Sequence, residues 1–157
     1  MTFEEIQKKY WQKVFRIWMG YVNNSDAAKD LAQESFIKIW HYLPKFRNES
    51  SIGTWIYRIT TNTCLRHIQQ EKRMPKSELP KDIKEEIIES KIDENLKILQ
   101  QYISKLPEIE RIIISLELED INQKEIAKII GISEGNVRVK IHRIKTKLTK
   151  MFQKNGK

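Results

Sequence analysis

The 157-residue chain has one cysteine, five glycines, four prolines and no long apolar run, and each scarcity excludes something. A lone thiol, Cys64, can form neither an internal disulfide nor a cysteine-based zinc site, so a reduced, half-buried side chain is expected there. No apolar stretch approaches the ~18 residues that span a bilayer, so no insertion into a membrane is expected. The opening MTFEEIQKKY lacks a cationic region followed by an apolar one, which argues against a signal peptide. His41, His67 and His142 stand apart without ligand spacing. No Gly-rich phosphate loop, His/Glu metal motif or Ser-His-Asp set can be assembled. The expectation is a cytoplasmic protein that is not an enzyme, with no catalytic residue, no metal and no cofactor.

What the chain does have is positive charge. Lys plus Arg number 29 against 21 Asp plus Glu, a formal +8. A polyanionic partner fits that balance. The charge is uneven: +4 over residues 1–70, −1 over 71–93 and +5 over 94–157. From Glu134 onward there are eight basic residues and one acid.

Helical periods dominate and alternation is absent, so the fold class is all-α. Ile92, Leu96, Leu99, Ile103 and Leu106, spaced four, three, four, three, fall on one helical stripe that Leu106-Pro107 ends. The stretch 71–91 holds two prolines, many charges and few apolar residues, as a linker does; a short helix near Ile83–Ile88 would fit inside it. Two small helical domains are expected, at 1–72 and 93–157, joined by a charged linker at 73–92.

The second domain carries the sharper motif. In QKEIAKIIGISEGNVRVKIHRIKTKL, Ala127 is small enough for two helices to approach. Gly131 can take a positive φ at the turn, and Ser133 can cap the following helix. Ile126, Ile130, Ile132, Val137 and Ile141 would share one core. This predicts a helix-turn-helix. On its second helix Val137, Ile141, Ile144 and Leu148 face inward. Asn136, Val139, Lys140, Arg143 and Lys147 face outward, with Arg138 and His142 at the rim. Arg, Asn and Lys beside one apolar Val suit base edges, phosphates and a thymine methyl in a major groove. Upstream, Pro107 and Glu108 open another helix whose Ile109, Ile112, Ile113 and Leu116 would pack beneath the motif.

In the first domain, Ala28, Ala32, Phe36, Ile39, Trp40 and Leu43 of DAAKDLAQESFIKIWHYLPKF share an arc expected to face the core. The opposite side carries Asp30, Glu34, Ile37 and His41, with Gln33 on its flank. An acidic stripe with an exposed Ile suits a basic, partly apolar protein surface, not DNA. After the polar loop FRNESSIGTW, a helix places Arg58, Asn62, Arg66, Gln69 and Arg73 on one side with Trp55, and Thr61 flanking them. Cations interleaved with an aromatic and amides fit a surface that tracks a single strand.

DLAQESFIKIW, TWIYRITTN and LPEIERIIISLELEDINQKEIAKIIGISEGNVRVKIHRIKTKL resemble, in this order, regions two and four of extracytoplasmic-function (ECF) sigma factors, the small members of the sigma-70 family. The resemblance covers about 10–150. It implies a subunit that binds core RNA polymerase and recognises the −10 and −35 promoter elements, with an anti-sigma factor as a further partner. It implies that Asp30, Gln33, Glu34 and Ile37 meet the polymerase clamp helices. The loop 46–52 and Asn62 would take the melted −10 strand, which with the helix stripe makes Phe46, Arg47, Asn48, Ser50, Trp55, Arg58, Asn62 and Arg66 the −10 candidates. Ser133, Asn136, Arg138, Val139, Lys140, His142 and Arg143 are the −35 candidates. Asp120 stands where the family commonly has Gly, Asn136 where it often has Thr, and Lys140 where Arg is common. Lys in place of Arg loses a planar fork. The competing reading is a stand-alone helix-turn-helix regulator that binds duplex DNA without polymerase. It leaves the acidic stripe and the Arg/Asn helix unexplained.

Overall fold

The computed structural model describes residues 2–73 and 94–155. Ile92, the helix expected near Ile83–Ile88 and all of the expected linker except Arg73 lie outside them. Among the described residues there are seven α-helices, one 3-10 turn and no strand.

The first unit is built from α1 (Phe3–Val22), α2 (Ser25–Tyr42) and α3 (Ile52–Arg73). α1 goes beyond the sequence-based expectation. It opens with a capping box in which Thr2 Oγ1 accepts from the Glu5 amide at 3.2 Å and Glu5 accepts from the Thr2 amide. Its buried Ile6, Tyr10, Val14, Ile17 and Tyr21 recur at helical spacing. Asn23, left-handed at φ 51°, ends it. Asn24 then caps α2 by accepting from the Ala27 amide at 2.9 Å. Between α1 and α2, the Trp18 indole donates to Ser35 Oγ at 2.9 Å, and Ser35 donates to the Leu31 carbonyl. The buried indole N–H therefore has its partner. A 3-10 turn, Leu43–Lys45, leads into the loop before α3, which Ser51 caps by accepting from the Thr54 amide at 3.2 Å. Cys64, on α3, is fully buried and not half-buried as expected; burial pushes its thiol pKa up.

The second unit comprises α4 (Glu94–Ser104), α5 (Glu108–Leu118), α6 (Gln123–Ile130) and α7 (Glu134–Asn155). The α4 stripe is buried only toward its end. Ile103 and Leu106 are covered, while Leu96 is exposed. On α5, Ile112, Ile113 and Leu116 are buried as expected, but Ile109 is exposed. Ile114 and Ser115 are buried as well, so α5 is covered on more than one side. The cause is the first unit: α1 packs on α4 and α5, and α3 packs on α6.

Candidate nucleic-acid and protein interfaces

Three exposed surfaces of different chemistry sit on this frame. The first lies along α2. Asp30, Gln33, Glu34 and Ile37 are all exposed, Ile37 at 67 %. Lys38 lies 4.0 Å from Glu34, too weak a pairing to neutralise the stripe. Trp40 belongs here too. It was expected in the core, yet it is 61 % exposed. At 100° per residue, position 40 lies between the Ala32–Phe36–Ile39 face and the Ile37 face, so periodicity alone does not decide its side. The structure turns it outward, three residues from Ile37, and makes the acidic stripe an acidic and aromatic one.

The second surface surrounds the loop between the 3-10 turn and α3. Phe46 and Trp55 stack obliquely, with ring centroids 5.0 Å apart. Beside them is a cavity of about 340 Å³ whose walls include Arg47, Ser50, Arg58 and Asn62. Six of the eight −10 candidates, Phe46, Arg47, Ser50, Trp55, Arg58 and Asn62, thus meet in one place. Asn48 and Arg66 do not line it. Asn48 sits in the loop with φ 58°, a left-handed conformation that Asn tolerates. Arg66 is exposed one turn beyond Asn62. Lys45, Glu49 and Ile59 also line the cavity. Lys45 and Glu49 adjoin named residues in the chain, and Ile59 follows Trp55 by four, so helical spacing was the signal for it. Thr61, expected at the flank of this surface, is fully buried, and Tyr57 is buried too.

The third surface is the helix-turn-helix. Gly131 takes φ 86°, and its amide and that of Ile132 donate to the Ala127 carbonyl at 2.8 and 3.1 Å. This left-handed stop closes α6. Ser133 Oγ accepts from the Asn136 amide at 3.1 Å and starts α7. Val137, Ile141, Ile144 and Leu148 are buried. Asn136, Arg138, Val139, Lys140, His142 and Arg143 are exposed, Val139 at 48 %. Lys147 is exposed as expected, but it is also paired. Its ammonium donates to both carboxylate oxygens of Glu110 on α5, at 2.9 and 3.1 Å. Lys145 pairs with Glu117, also on α5, at 2.9 Å. The second half of α7 is therefore tied to α5. The first half presents Arg138, Lys140 and Arg143 without an ion-pair partner among the described residues. That is the end a recognition helix inserts.

Asp120, in the turn between α5 and α6, has φ 61°. The backbone there is the kind glycine adopts without cost, which accounts for the family preference at this position. Among the described residues no helix is long and apolar enough to cross a membrane.

Comparison with known proteins agrees with this architecture. The Sigma-70 region 2 family matches residues 6–74, and the Sigma-70, region 4 family matches residues 96–148. The chain is 31 % identical to the RNA polymerase sigma-H factor of Pseudomonas aeruginosa, over 97 % of this chain and 86 % of that one. It is 32 % identical to the ECF RNA polymerase sigma-E factor of Salmonella typhimurium, over 97 % and 87 %. In fold it is similar to the sigma factor RpoE of Bartonella quintana, solved in complex with the anti-sigma factor NepR, at TM-score 0.77, 15 % identity and 98 % coverage of each chain. It is similar also to CnrH, solved in complex with the cytosolic domain of CnrY, at TM-score 0.71, 18 % identity and 98 % and 89 % coverage. A stand-alone regulator would need only the helix-turn-helix, whereas both sigma regions are present in order. The chain belongs to the ECF subfamily of sigma-70 sigma factors, which direct RNA polymerase to promoters.

Proposed function

We propose that the three surfaces divide the work of initiation, with the first unit, 1–72, gripping polymerase and opening DNA and the second, 93–157, docking on duplex. Asp30, Gln33, Glu34 and Ile37, with Trp40 beside them, bind the polymerase clamp helices through opposite charge around an apolar contact. Phe46, Arg47, Asn48, Ser50, Trp55, Arg58, Asn62 and Arg66 take the −10 element as single strand. Ser133, Asn136, Arg138, Val139, Lys140, His142 and Arg143 lie on the −35 duplex.

The observation that carries this reading is the cavity beside the Phe46–Trp55 pair. An aromatic pair, an amide and guanidinium groups around one opening are what an unstacked base with its phosphate requires. Each base captured there offsets part of an unpairing cost of a few kcal/mol. None of the steps makes or breaks a covalent bond in this protein, and the place of action is the cytoplasm. The two solved structures of similar fold contain an anti-sigma factor or the cytosolic domain of CnrY, respectively. That supports a regulatory partner of the anti-sigma kind for this chain as well.

The test is in vitro transcription with purified core polymerase on a random promoter library. Wild-type protein yields new, sequence-related start sites. The Asp30→Arg, Glu34→Arg double variant keeps its helical circular dichroism but loses co-purification with core polymerase and loses those starts. Normal co-purification of the double variant removes the α2 assignment. An unchanged start-site profile with wild-type protein removes the whole reading.

A further inference from the structure

α7 carries two rows of basic residues, and both rows end in the same way. Lys140, Arg143 and Lys147, spaced three and four, run along one flank of the helix. Arg138, His142 and Lys145, spaced four and three, run along the other. At 100° per residue each row lies about 100° from the buried stripe of Val137, Ile141, Ile144 and Leu148, on opposite sides of it, with Val139 between the rows. A helix seated in a major groove has a phosphate backbone on either flank and base edges ahead of it. The two rows match the two strands, and Val139 matches the bases.

The last member of each row is held by the helix beneath. Lys147 donates to both carboxylate oxygens of Glu110, at 2.9 and 3.1 Å, and Lys145 pairs with Glu117 at 2.9 Å. Glu110 and Glu117 stand seven positions apart on α5, about two turns, so they share one side of the helix that packs on α7. Their side chains are only 21 % and 19 % exposed. A lysine that swung away to a phosphate would leave a largely covered carboxylate without its cation, and such a charge is costly to strand. Arg138, Lys140 and Arg143 have no such restraint, since none has an ion-pair partner among the described residues.

Phosphate contacts strengthen binding to every sequence alike, whereas base contacts discriminate. We propose that Glu110 and Glu117 are specificity-determining residues, which hold Lys147 and Lys145 off the DNA, end the two phosphate-facing rows and so keep a larger share of the duplex affinity at the bases. They act through the lysines and are positioning residues in that sense. The inference rests on placing α7 on the −35 duplex.

The experiment is a charge-neutralising cycle on the full chain: Glu110→Gln, Lys147→Gln and the two combined, with the same cycle for Glu117 and Lys145 and with Lys140→Gln as reference. Anisotropy of a labelled duplex of random sequence, read between about 50 and 200 mM salt, gives non-specific affinity and its salt slope. Holoenzyme reconstituted with each variant gives the preference for a selected promoter over the same promoter with a scrambled −35 element. Circular dichroism and thermal melts report the fold. Each Glu→Gln change is expected to tighten random-duplex binding about 3–10-fold, to steepen the salt slope by about 0.9 for the lysine it frees, and to lower the −35 preference by a similar factor. The matching Lys→Gln change alone is expected to leave the slope unchanged, and the combined variant to return slope and preference to wild type. Lys140→Gln is expected to weaken binding and flatten the slope. A Glu→Gln variant with a lower melting temperature but wild-type slope and preference overturns the proposal, because its role is then only structural. Equal tightening by Glu110→Gln with and without Lys147 overturns it too, because the glutamate then acts as a distant charge. So does a flattened slope in Lys147→Gln alone, which would make Lys147 a phosphate contact already. If Lys140→Gln also changes nothing, the −35 assignment of α7 falls together with the inference; if Lys140→Gln weakens binding and the glutamate variants do nothing, only the inference falls.

Discussion

Asp120 shows how one residue reports both ancestry and strain. Its left-handed backbone, φ 61°, is disfavoured for a residue with a Cβ, though less so for Asp than for most. It also places a carboxylate just beyond the C-terminal end of α5, where the helix dipole repels negative charge. Asp120→Gly is therefore expected to leave stability unchanged or raise it by up to about 1 kcal/mol, while Asp120→Ala lowers it by about 1 kcal/mol. Urea unfolding of the two variants beside wild type checks the contrast. The sequence exposed the oddity of an Asp in a family glycine position, but the sign of φ came only with the backbone. Trp40 is the opposite case. Its helical angle was ambiguous, and only the packing of α2 against α1 and α3 turned it to solvent.

Among the elements, the helix-turn-helix was the most legible and α1 the least. Small residue, glycine and cap at 127, 131 and 133 each have one local job, and each does it in the fold. On α7, however, which cations are available to DNA is not a local matter, because Glu110 and Glu117 of α5 hold Lys147 and Lys145. Arg143 is exposed in the first half of α7, with no ion-pair partner among the described residues. Arg143→Ala is expected to cost roughly 1–3 kcal/mol of −35 binding and to relax preference at one base pair. Binding to a set of single-position promoter variants measures this; an equal loss on every sequence would make Arg143 a phosphate contact. α1 carried a readable signal in Ile6, Tyr10, Val14, Ile17 and Tyr21. Its importance is nonetheless tertiary, since the same helix packs on α2 and α3 of its own unit and on α4 and α5 of the other.

At the scale of the whole molecule, burial sets a pH limit. Desolvation raises the pKa of the Cys64 thiol and of the Tyr21 and Tyr57 hydroxyls. In the unfolded chain these groups ionise at ~8.5 and ~10. In the fold they stay protonated at those pH values, so the folded state binds more protons than the unfolded state and stability falls as pH rises. The contribution is complete below about pH 8.5 and is lost progressively above it. Thermal melts from pH 7 to 10.5 are expected to show a flat region followed by a falling Tm. A Cys64→Ala variant should flatten the earlier part of that fall and leave the tyrosine part, at the cost of a small cavity.

The sequence by itself determined the elements and their chemistry. Periodicity is a property of neighbours three and four apart, and caps, turns and charge stripes are made within a few residues. It thus sufficed for an all-α chain, a helix-turn-helix, an acidic stripe and a loop before an Arg/Asn helix. Tertiary structure alone decided which of those side chains meet. The cavity beside Phe46 and Trp55, the pairing of Lys147 with Glu110 and the Arg16–Glu119 contact of α1 with α5 all join residues that no helical period or cap relates. Arg16 and Glu119 are 103 positions apart, and no local rule relates two charges at that separation until the chain has folded.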